Sequence, residues 1–337
     1  MNALKPDISV LMSIYNEALD DIRTSIHSVL SQTVKDTEII IVNDNPGRKD
    51  IHGLLDEMVS LHSNISVIHN TENIGLAASM NKALQHANGQ YIARMDADDY
   101  SLPTRFEKEL KILCNDEADI VSTNYALIGP EGEFLNDGKP AGRHIEEGQD
   151  ITELLVFNGL VHHPTVMMKK EALIRVGGYR IFPCSQDQDL WIRMLESGAR
   201  FVYLDEVLLH YRIRKDSISQ KKGLQQYVTI DYILQLLKER SENGGKDSYS
   251  LDRYSQYISM KCNDSKEAER FSKGVNKLTT ALEVKQNNKI RNLFLRIDAF
   301  ITSKTLRGTY LFKLRNRKRI LAYLNQCSKQ TGGHSIV

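Results

Sequence analysis

Three carboxylates close an otherwise apolar run in Tyr91-Ile92-Ala93-Arg94-Met95-Asp96-Ala97-Asp98-Asp99. A strand that delivers Asp96, Asp98 and Asp99 to its own C-terminal tip gathers negative charge where a loop begins, and this is costly unless a cation sits there. One or two carboxylates, with phosphate oxygens completing the shell, are how Mg²⁺ or Mn²⁺ is commonly held. An isolated D-x-D also reads as an acidic surface turn with Asp99 capping the next helix. The surroundings favour a site. Pro103 and Thr104 open a helical pattern through Phe106, Leu110 and Leu113, so residues 96–102 join a strand to a helix. In open α/β sheets, ligands bind outside the carboxyl ends of strands, where such a connection lies.

Other residues with chemistry to offer lie at similar places. Tyr15 follows the apolar run Ile8–Met12 and can stack on a base, and Asp44 follows Glu38–Val42 and can accept from a pyrimidine N–H or a ribose hydroxyl. His162 and His163 lead, through Pro164 at the first strand position, into Thr165–Met168. Adjacent histidines on an extended segment face opposite ways, so one at most enters a site, and His163 is preferred. Gly177-Gly178-Tyr179 allows close approach of backbone to a ligand. Ser185 can N-cap a helix from Asp187 to Leu195, with Asp187 and Asp189 in its first turn. Arg212, Arg214 and Lys215 bring positive charge after two short strands, Phe201–Leu204 and Val207–Tyr211.

The elements that must position these groups alternate regularly. Strand patterns at Ile8–Met12, Glu38–Val42, Ile65–Ile68 and from Tyr91 are separated by amphipathic helices, the third opening after Asn73-Ile74-Gly75 and closed by Asn88-Gly89 as a C-cap. Continuous apolar strands alternating with helices imply a parallel sheet covered on both faces, an α/β fold. Its strand C-termini share one edge, so Tyr15, Asp44 and the Asp96 cluster should converge. From Gly129 to Gly142 the pattern is a hairpin or loop, and Ile151–Phe157 is a short helix. Leu224–Leu237 is helical, Ser241–Gly245 is a linker, and the remainder is mostly helical and polar.

The chain of 337 residues carries 44 basic and 43 acidic side chains, a balance that argues against nucleic acid as a partner. The distribution is uneven, with ten Lys/Arg between Lys289 and Arg319 and Asp298 as the sole acid. Cys114, Cys184, Cys262 and Cys327 have neither zinc-like nor disulfide-framework spacing and are expected to be reduced thiols. A signal-peptide layout and an apolar run of about 18 residues are both lacking, so the expectation is a protein that does not cross a membrane. Neither G-x-G-x-x-G nor G-x-x-x-x-G-K-[ST] is present, so phosphate has to be held by metal.

Taken together, Tyr15-Asn16-Glu17, Ile41-Val42-Asn43-Asp44, Asn73-Ile74-Gly75-Leu76, Asn81, Met95-Asp96-Ala97-Asp98-Asp99, His163-Pro164-Thr165, Gly177-Gly178-Tyr179, Asp187-Gln188-Asp189-Leu190-Trp191 and Tyr211-Arg212 with Ser217-Ile218-Ser219 resemble an inverting family 2 glycosyltransferase of the GT-A fold, of the kind that builds bacterial O-antigen and exopolysaccharide. The resemblance implies a Rossmann-like, mainly parallel sheet flanked by helices in residues 1–220, with a nucleotide-sugar half to about 125 and an acceptor half from about 126. Residues 221–337 would form a helical C-terminal extension. It implies transfer of a hexose, from UDP-Glc or UDP-Gal, to a lipid-diphosphate-linked saccharide. Asp98 and Asp96 would hold Mn²⁺ or Mg²⁺, and Asp187 would be the general base. Tyr15, Glu17, Asp44, Asn73, Asn81, Asp96 and Arg214 would bind the nucleotide sugar, and His163, Gly177, Gly178, Tyr179 and Trp191 would lie on the acceptor or donor-sugar side. Two departures stand out: the usual Glu-Asp pair reads Gln186-Asp187, and Arg214 occupies a position where many relatives carry a metal-binding His. Arginine cannot ligate metal, but it can pair with a diphosphate.

The chemistry agrees with this independently. Glycosyl transfer passes through an oxocarbenium-like state, and one carboxylate base without a second acting as nucleophile fits inversion. The basic segment 289–319, with Leu311-Phe312-Lys313-Leu314-Arg315 interleaving apolar and cationic residues, is expected to contact an anionic membrane on the inner face of the cytoplasmic membrane, where a polyprenyl-diphosphate-linked acceptor would lie. A solvated charged face is the competing reading of that segment. Two other functions compete. A nucleotidyltransferase on a similar fold should show a glycine-rich loop, and Ser13–Glu17 has no glycine. A non-catalytic nucleotide-sugar or glycan-binding protein would not need Asp187.

Overall fold

The computed structural model describes residues 7–146, 149–214, 223–284 and 289–330. Lys215 and Ser217-Ile218-Ser219 lie outside them. The described residues fall into two compact units, one built from residues 7–214 and the last turns of the chain, the other from residues 223–324.

The first unit is an eight-stranded sheet of order β3-β2-β1-β4-β7-β6-β8-β5. Its strands are β1 (Ile8–Ile14), β2 (Thr37–Asn43), β3 (Ile65–His69), β4 (Tyr91–Arg94), β5 (Tyr100–Ser101), β6 (Ile120–Ile128), β7 (Val166–Lys169) and β8 (Phe201–Arg212). Strands β3, β2, β1 and β4 are mutually parallel, as the alternation of strand and helix requires. β7 then runs antiparallel between β4 and β6, and β8 returns parallel to β6. The helices are α1 (Leu19–Leu30), α2 (Lys49–Leu61), α3 (Leu76–His86), α4 (Arg105–Cys114), α5 (Thr152–Asn158), α6 (Lys170–Arg175) and α7 (Gln186–Glu196). Val10, Met12, Ile39 and Ile41 pack with Ile22, Ile26, Leu55 and Met58 in one core. Burial of the apolar strands on both faces is the main force holding the sheet.

Several local readings change. The segment after α3 is not capped by a left-handed glycine: Ala87 is the extended C-cap (φ −69°, ψ 129°). Gly89 serves another purpose, because a Cβ there would lie 2.6 Å from the Ser9 nitrogen and 2.8 Å from the Ile8 carbonyl carbon. Pro164 does not begin a strand but sits in a 3₁₀ turn, His163–Thr165, whose first turn tolerates a missing N–H. Ser185 precedes α7 in the left-handed region (φ 57°, ψ 23°) and makes no side-chain cap. The two short strands expected between Phe201 and Tyr211 are one strand, and a register shift around Asn124 absorbs the Asp205-Glu206 interruption. Tyr100-Ser101 adds a short strand within the 96–102 connection and pairs with β8, which ties the acidic turn to the far side of the sheet. The Gly129–Gly142 stretch folds back on β6 through bridges Ile128↔Phe134 and Ala126↔Pro140.

The second unit comprises α8 (Gly223–Glu242), α9 (Leu251–Cys262), α10 (Ser265–Val284), α11 (Lys289–Thr302) and α12 (Lys304–Gln330, whose last residues belong to the first unit). Among the described residues no helix is long and apolar enough to cross a membrane. The four cysteines form no disulfide.

Because the obstacle at Gly89 is β1 backbone rather than a flexible side chain, Gly89→Ala should cost about 1–3 kcal/mol of stability. A lower urea midpoint for the variant is the expected result, and an unchanged midpoint would show that β1 can yield.

Candidate active site

The acidic turn sorts its three aspartates into different environments. Asp99 is buried, its Oδ1 accepts the Arg212 backbone N–H (2.9 Å), and burial pushes its carboxyl well above the usual range. It therefore locks the end of β8 to the turn and is not placed as a ligand. Asp96 and Asp98 stay partly exposed, at 31% and 14%. Asp96 Oδ1 accepts from Arg94, and Asp98 Oδ2 lies 2.7 Å from Arg214 Nε. Burial, reinforced by the neighbouring Asp96 charge and opposed by Arg214, pushes Asp98 up to about 7.

A divalent cation fits these residues. Asp96 and Asp98 each present one carboxylate oxygen without an ion-pair partner among the described residues. Among the described residues there is no group of three or more His, Cys, Asp or Glu side chains to cage an ion. A bound divalent cation would take a pair of hard oxygen donors from Asp96 and Asp98 and would need other ligands to complete its shell.

The ends of β1 and β2 meet this turn. Glu17 Oε2 accepts the backbone N–H groups of Tyr15 (2.7 Å) and Asn16 (3.0 Å), and Oε1 receives Arg214 at 3.3 Å. Arg214 thereby bridges the β1 loop and the acidic turn. The Tyr15 ring is 45% exposed, open for stacking. Asp44 is buried and spends three of its lone-pair sites on Asn70 Nδ2 (2.8 Å) and the N–H groups of Ile74 and Gly75 (2.9 Å each), which leaves one for a ligand. Asn73 Oδ1 also accepts from Gly75 N–H (2.9 Å), shaping the turn into α3, where Gly75 has φ 82°.

On the other side, Asn81 brackets the Tyr179 peptide, donating to its carbonyl (2.8 Å) and accepting from its N–H (2.9 Å). Both ends of this side chain are committed, so Asn81 shapes the Gly177–Tyr179 turn and is not brought to the nucleotide side. That turn needs glycine twice, since Gly177 and Gly178 have φ 76° and 70°. Beneath it Arg193, paired with the buried Asp189 (2.7 Å), donates to the carbonyls of Val176 (2.6 Å) and Gly178 (2.8 Å). Asp189 is thus structural. Trp191 is 1% exposed, in the core behind His163.

Arg94, which sequence reasoning passed over, links the two sides. Its buried guanidinium bonds Asp96, the Met95 carbonyl and, through Nε, His163 Nδ1 at 3.2 Å. An arginine can only donate, so Nδ1 accepts, the proton sits on Nε2, and His163 donates to the Tyr179 hydroxyl at 2.9 Å. Its signal was legible as the one cation in the strand run before the carboxylates. His162 faces elsewhere, bonded to the Tyr125 hydroxyl at 3.0 Å.

Asp187 opens α7 and accepts the Gln188 N–H at 2.9 Å. Burial raises its carboxyl above the ordinary range; backbone N–H groups oppose this, the Asp96 charge adds to it, and Arg94 lowers it. Contacts join Glu17, Arg214 and Asp98 on one side and Asp96, Arg94, His163 and Tyr179 on the other, and Asp187 stands within electrostatic reach of Asp96 and Arg94.

Comparison with known proteins matches this arrangement to a class. The family described as Glycosyl transferase family 2 matches residues 9–177. A glycosyltransferase of Methanocaldococcus jannaschii is 36% identical over 67% of this chain and 79% of its own length. The O-antigen biosynthesis glycosyltransferase WbnJ of Escherichia coli is 34% identical over 69% of this chain and 90% of its own. The amylovoran biosynthesis glycosyltransferase AmsE of Erwinia amylovora is 27% identical over 68% and 85%. The chain belongs to glycosyl transferase family 2 and is a glycosyltransferase.

Burial holds His163 well below 6.5, with Arg94 adding to the effect, and holds His162 at about 4. Unfolded, both imidazoles bind a proton near pH 6.5, so their contribution to stability is complete above that value and is lost as pH falls toward the folded values. The raised carboxyls of Asp98, Asp99 and Asp187 act in the opposite direction over the same range, so the histidine contribution is read as a difference. Between about pH 7 and about pH 5 the melting temperature of wild type should fall more, or rise less, than that of His162→Gln. An identical slope in the variant would remove His162 from this account.

Proposed function

We propose that the protein moves a hexose, with inversion, from a nucleotide sugar, UDP-Glc or UDP-Gal, to a saccharide carried on a polyprenyl diphosphate, as a step in bacterial surface polysaccharide biosynthesis. The observation that supports this reading is the pair of partly exposed carboxylates, Asp96 and Asp98, held beside Arg94 and Arg214 at the carboxyl edge of the sheet, with Asp187 within electrostatic reach of Asp96 and Arg94. The relatives named for O-antigen and amylovoran biosynthesis support the pathway class.

In this reading Tyr15 stacks on the base, and the remaining lone pair of Asp44 accepts from the uridine. Asp96 and Asp98 hold Mn²⁺ or Mg²⁺, which when bound supplies Lewis-acid stabilisation of the departing diphosphate. Arg214, which in the structure rests on Asp98 and Glu17, turns to the diphosphate oxygens as a charge clamp. Asp187 takes the proton of the acceptor hydroxyl as that oxygen attacks the anomeric carbon from the face opposite the leaving group. Its raised proton affinity makes it a stronger base than an ordinary carboxylate. Tyr179, accepting from His163, keeps its own proton to donate to an oxygen of the bound sugar. The acceptor is reached at the inner face of the cytoplasmic membrane, with residues 289–319 in peripheral contact with anionic lipid.

Turnover of a panel of nucleotide sugars with a lipid-diphosphate saccharide tests this directly. Asp187→Asn should lower kcat by about 10²–10⁴ while donor binding persists. Asp98→Ala should abolish metal-dependent turnover, and full activity in the presence of a chelator would refute the metal assignment. Donor binding by the wild type with neither transfer nor donor hydrolysis, and unchanged in Asp187→Asn, would favour a binding protein over a transferase.

A further inference from the structure

Helices α11 and α12 carry an apolar surface that the catalytic rim does not use. On α11, Leu293, Phe294, Ile297 and Ile301 fall within a sector of roughly 100° on the helix. All four are exposed, from 46% at Ile297 to 69% at Ile301, while Ala299 on the opposite side is buried. On α12, Tyr310, Leu311 and Leu314 are exposed on a face that also carries Arg307, Arg315 and Lys318. Leu306, Thr309 and Ile320 take the buried face. The Phe300 ring stacks on Tyr310 at 4.5 Å, joining the two helices across Ser303.

Contiguous exposed apolar side chains of this size mark an interaction surface. What covers it is decided by charge. Residues 289–319 hold ten Lys/Arg against Asp298, so a second copy of this chain would bring the same positive excess to the contact. An anionic bilayer instead offers negative headgroups directly above an apolar interior, matching both features of the face. We propose that α11 and the first half of α12 form an interfacial docking surface for an anionic lipid bilayer. Leu293, Phe294, Ile297 and Ile301 enter the acyl boundary, and Arg307, Arg315 and Lys318 engage lipid phosphates. The apolar anchor thus lies upstream of the Leu311–Arg315 stretch that the sequence points to. The inference deepens the lipid-carried-acceptor reading and rests on it for its biological sense.

The test is sedimentation of the full chain with phosphatidylglycerol vesicles and with phosphatidylcholine vesicles. The wild type should bind the former at least tenfold more tightly and release as salt rises. Phe294→Ser with Ile297→Ser should weaken binding at least tenfold, and Arg315→Glu with Lys318→Glu should erase the lipid preference. Circular dichroism checks the fold of each variant, with Leu293→Ser and Ile301→Ser as the replacement pair if the first does not fold. Wild type left in the supernatant, binding indifferent to every pair, or a dimer that the serine pair dissociates would overturn the proposal. Donor turnover with a lipid-diphosphate saccharide presented in detergent micelles is measured on the same preparations. Lost vesicle binding with intact turnover sinks the docking surface alone, and absent turnover with intact vesicle binding sinks the transferase substrate assignment alone.

Discussion

A single buried cation organises the site. Arg94 lies at the C-terminal end of a central strand, almost without solvent, and a guanidinium there is tolerable only because every direction it faces offers an acceptor. Asp96 is on one side, the Met95 carbonyl behind, and His163 on the other. The charge that neutralises part of the acidic turn also fixes an imidazole tautomer and reaches the carboxyl of Asp187. The acidic turn after β4 and Asp187 on α7 are therefore coupled electrostatically through Arg94 and Asp96.

This explains why so many polar groups near the rim are spent on one another. Asn81 and Arg193 hold the Gly177–Tyr179 turn from two sides, and Asp44 and Asn73 hold the entry to α3. Such contacts bind no substrate, yet they fix backbone that would otherwise be loop, and a site built this way keeps its geometry without a bound ligand. Arg214 differs. It pairs with partly exposed acids from two loops, Glu17 and Asp98, and so bridges them.

The departures from the more usual motif have a local logic. With Gln186 in place of an acid, Asp187 loses a neighbouring negative charge, and burial together with Asp96 is what raises its proton affinity. With Arg214 in place of an imidazole, a guanidinium stands beside the carboxylate of Asp98.

The sequence by itself determined the class of fold and the edge of the site. Continuous apolar strands alternating with amphipathic helices leave little choice but a parallel sheet, and a parallel sheet puts Tyr15, Asp44 and Asp98 at one rim. It ranked residues of the same type a few positions apart only by motif resemblance and strand alternation, which favoured Asp96 and Asp98 over Asp99, Asp187 over Asp189 and His163 over His162. What distinguishes them physically is which partner lies opposite each side chain. Only the tertiary structure decided that Asp99 and Asp189 turn inward, that Asn81 and Trp191 support the site from behind, and that Arg94 joins its halves. Hydrogen bonds across 69 to 113 residues of separation set the outcomes at Arg94, Asn81 and Asp99, which no local pattern encodes, whereas Asp189 is held one turn along its own helix by Arg193.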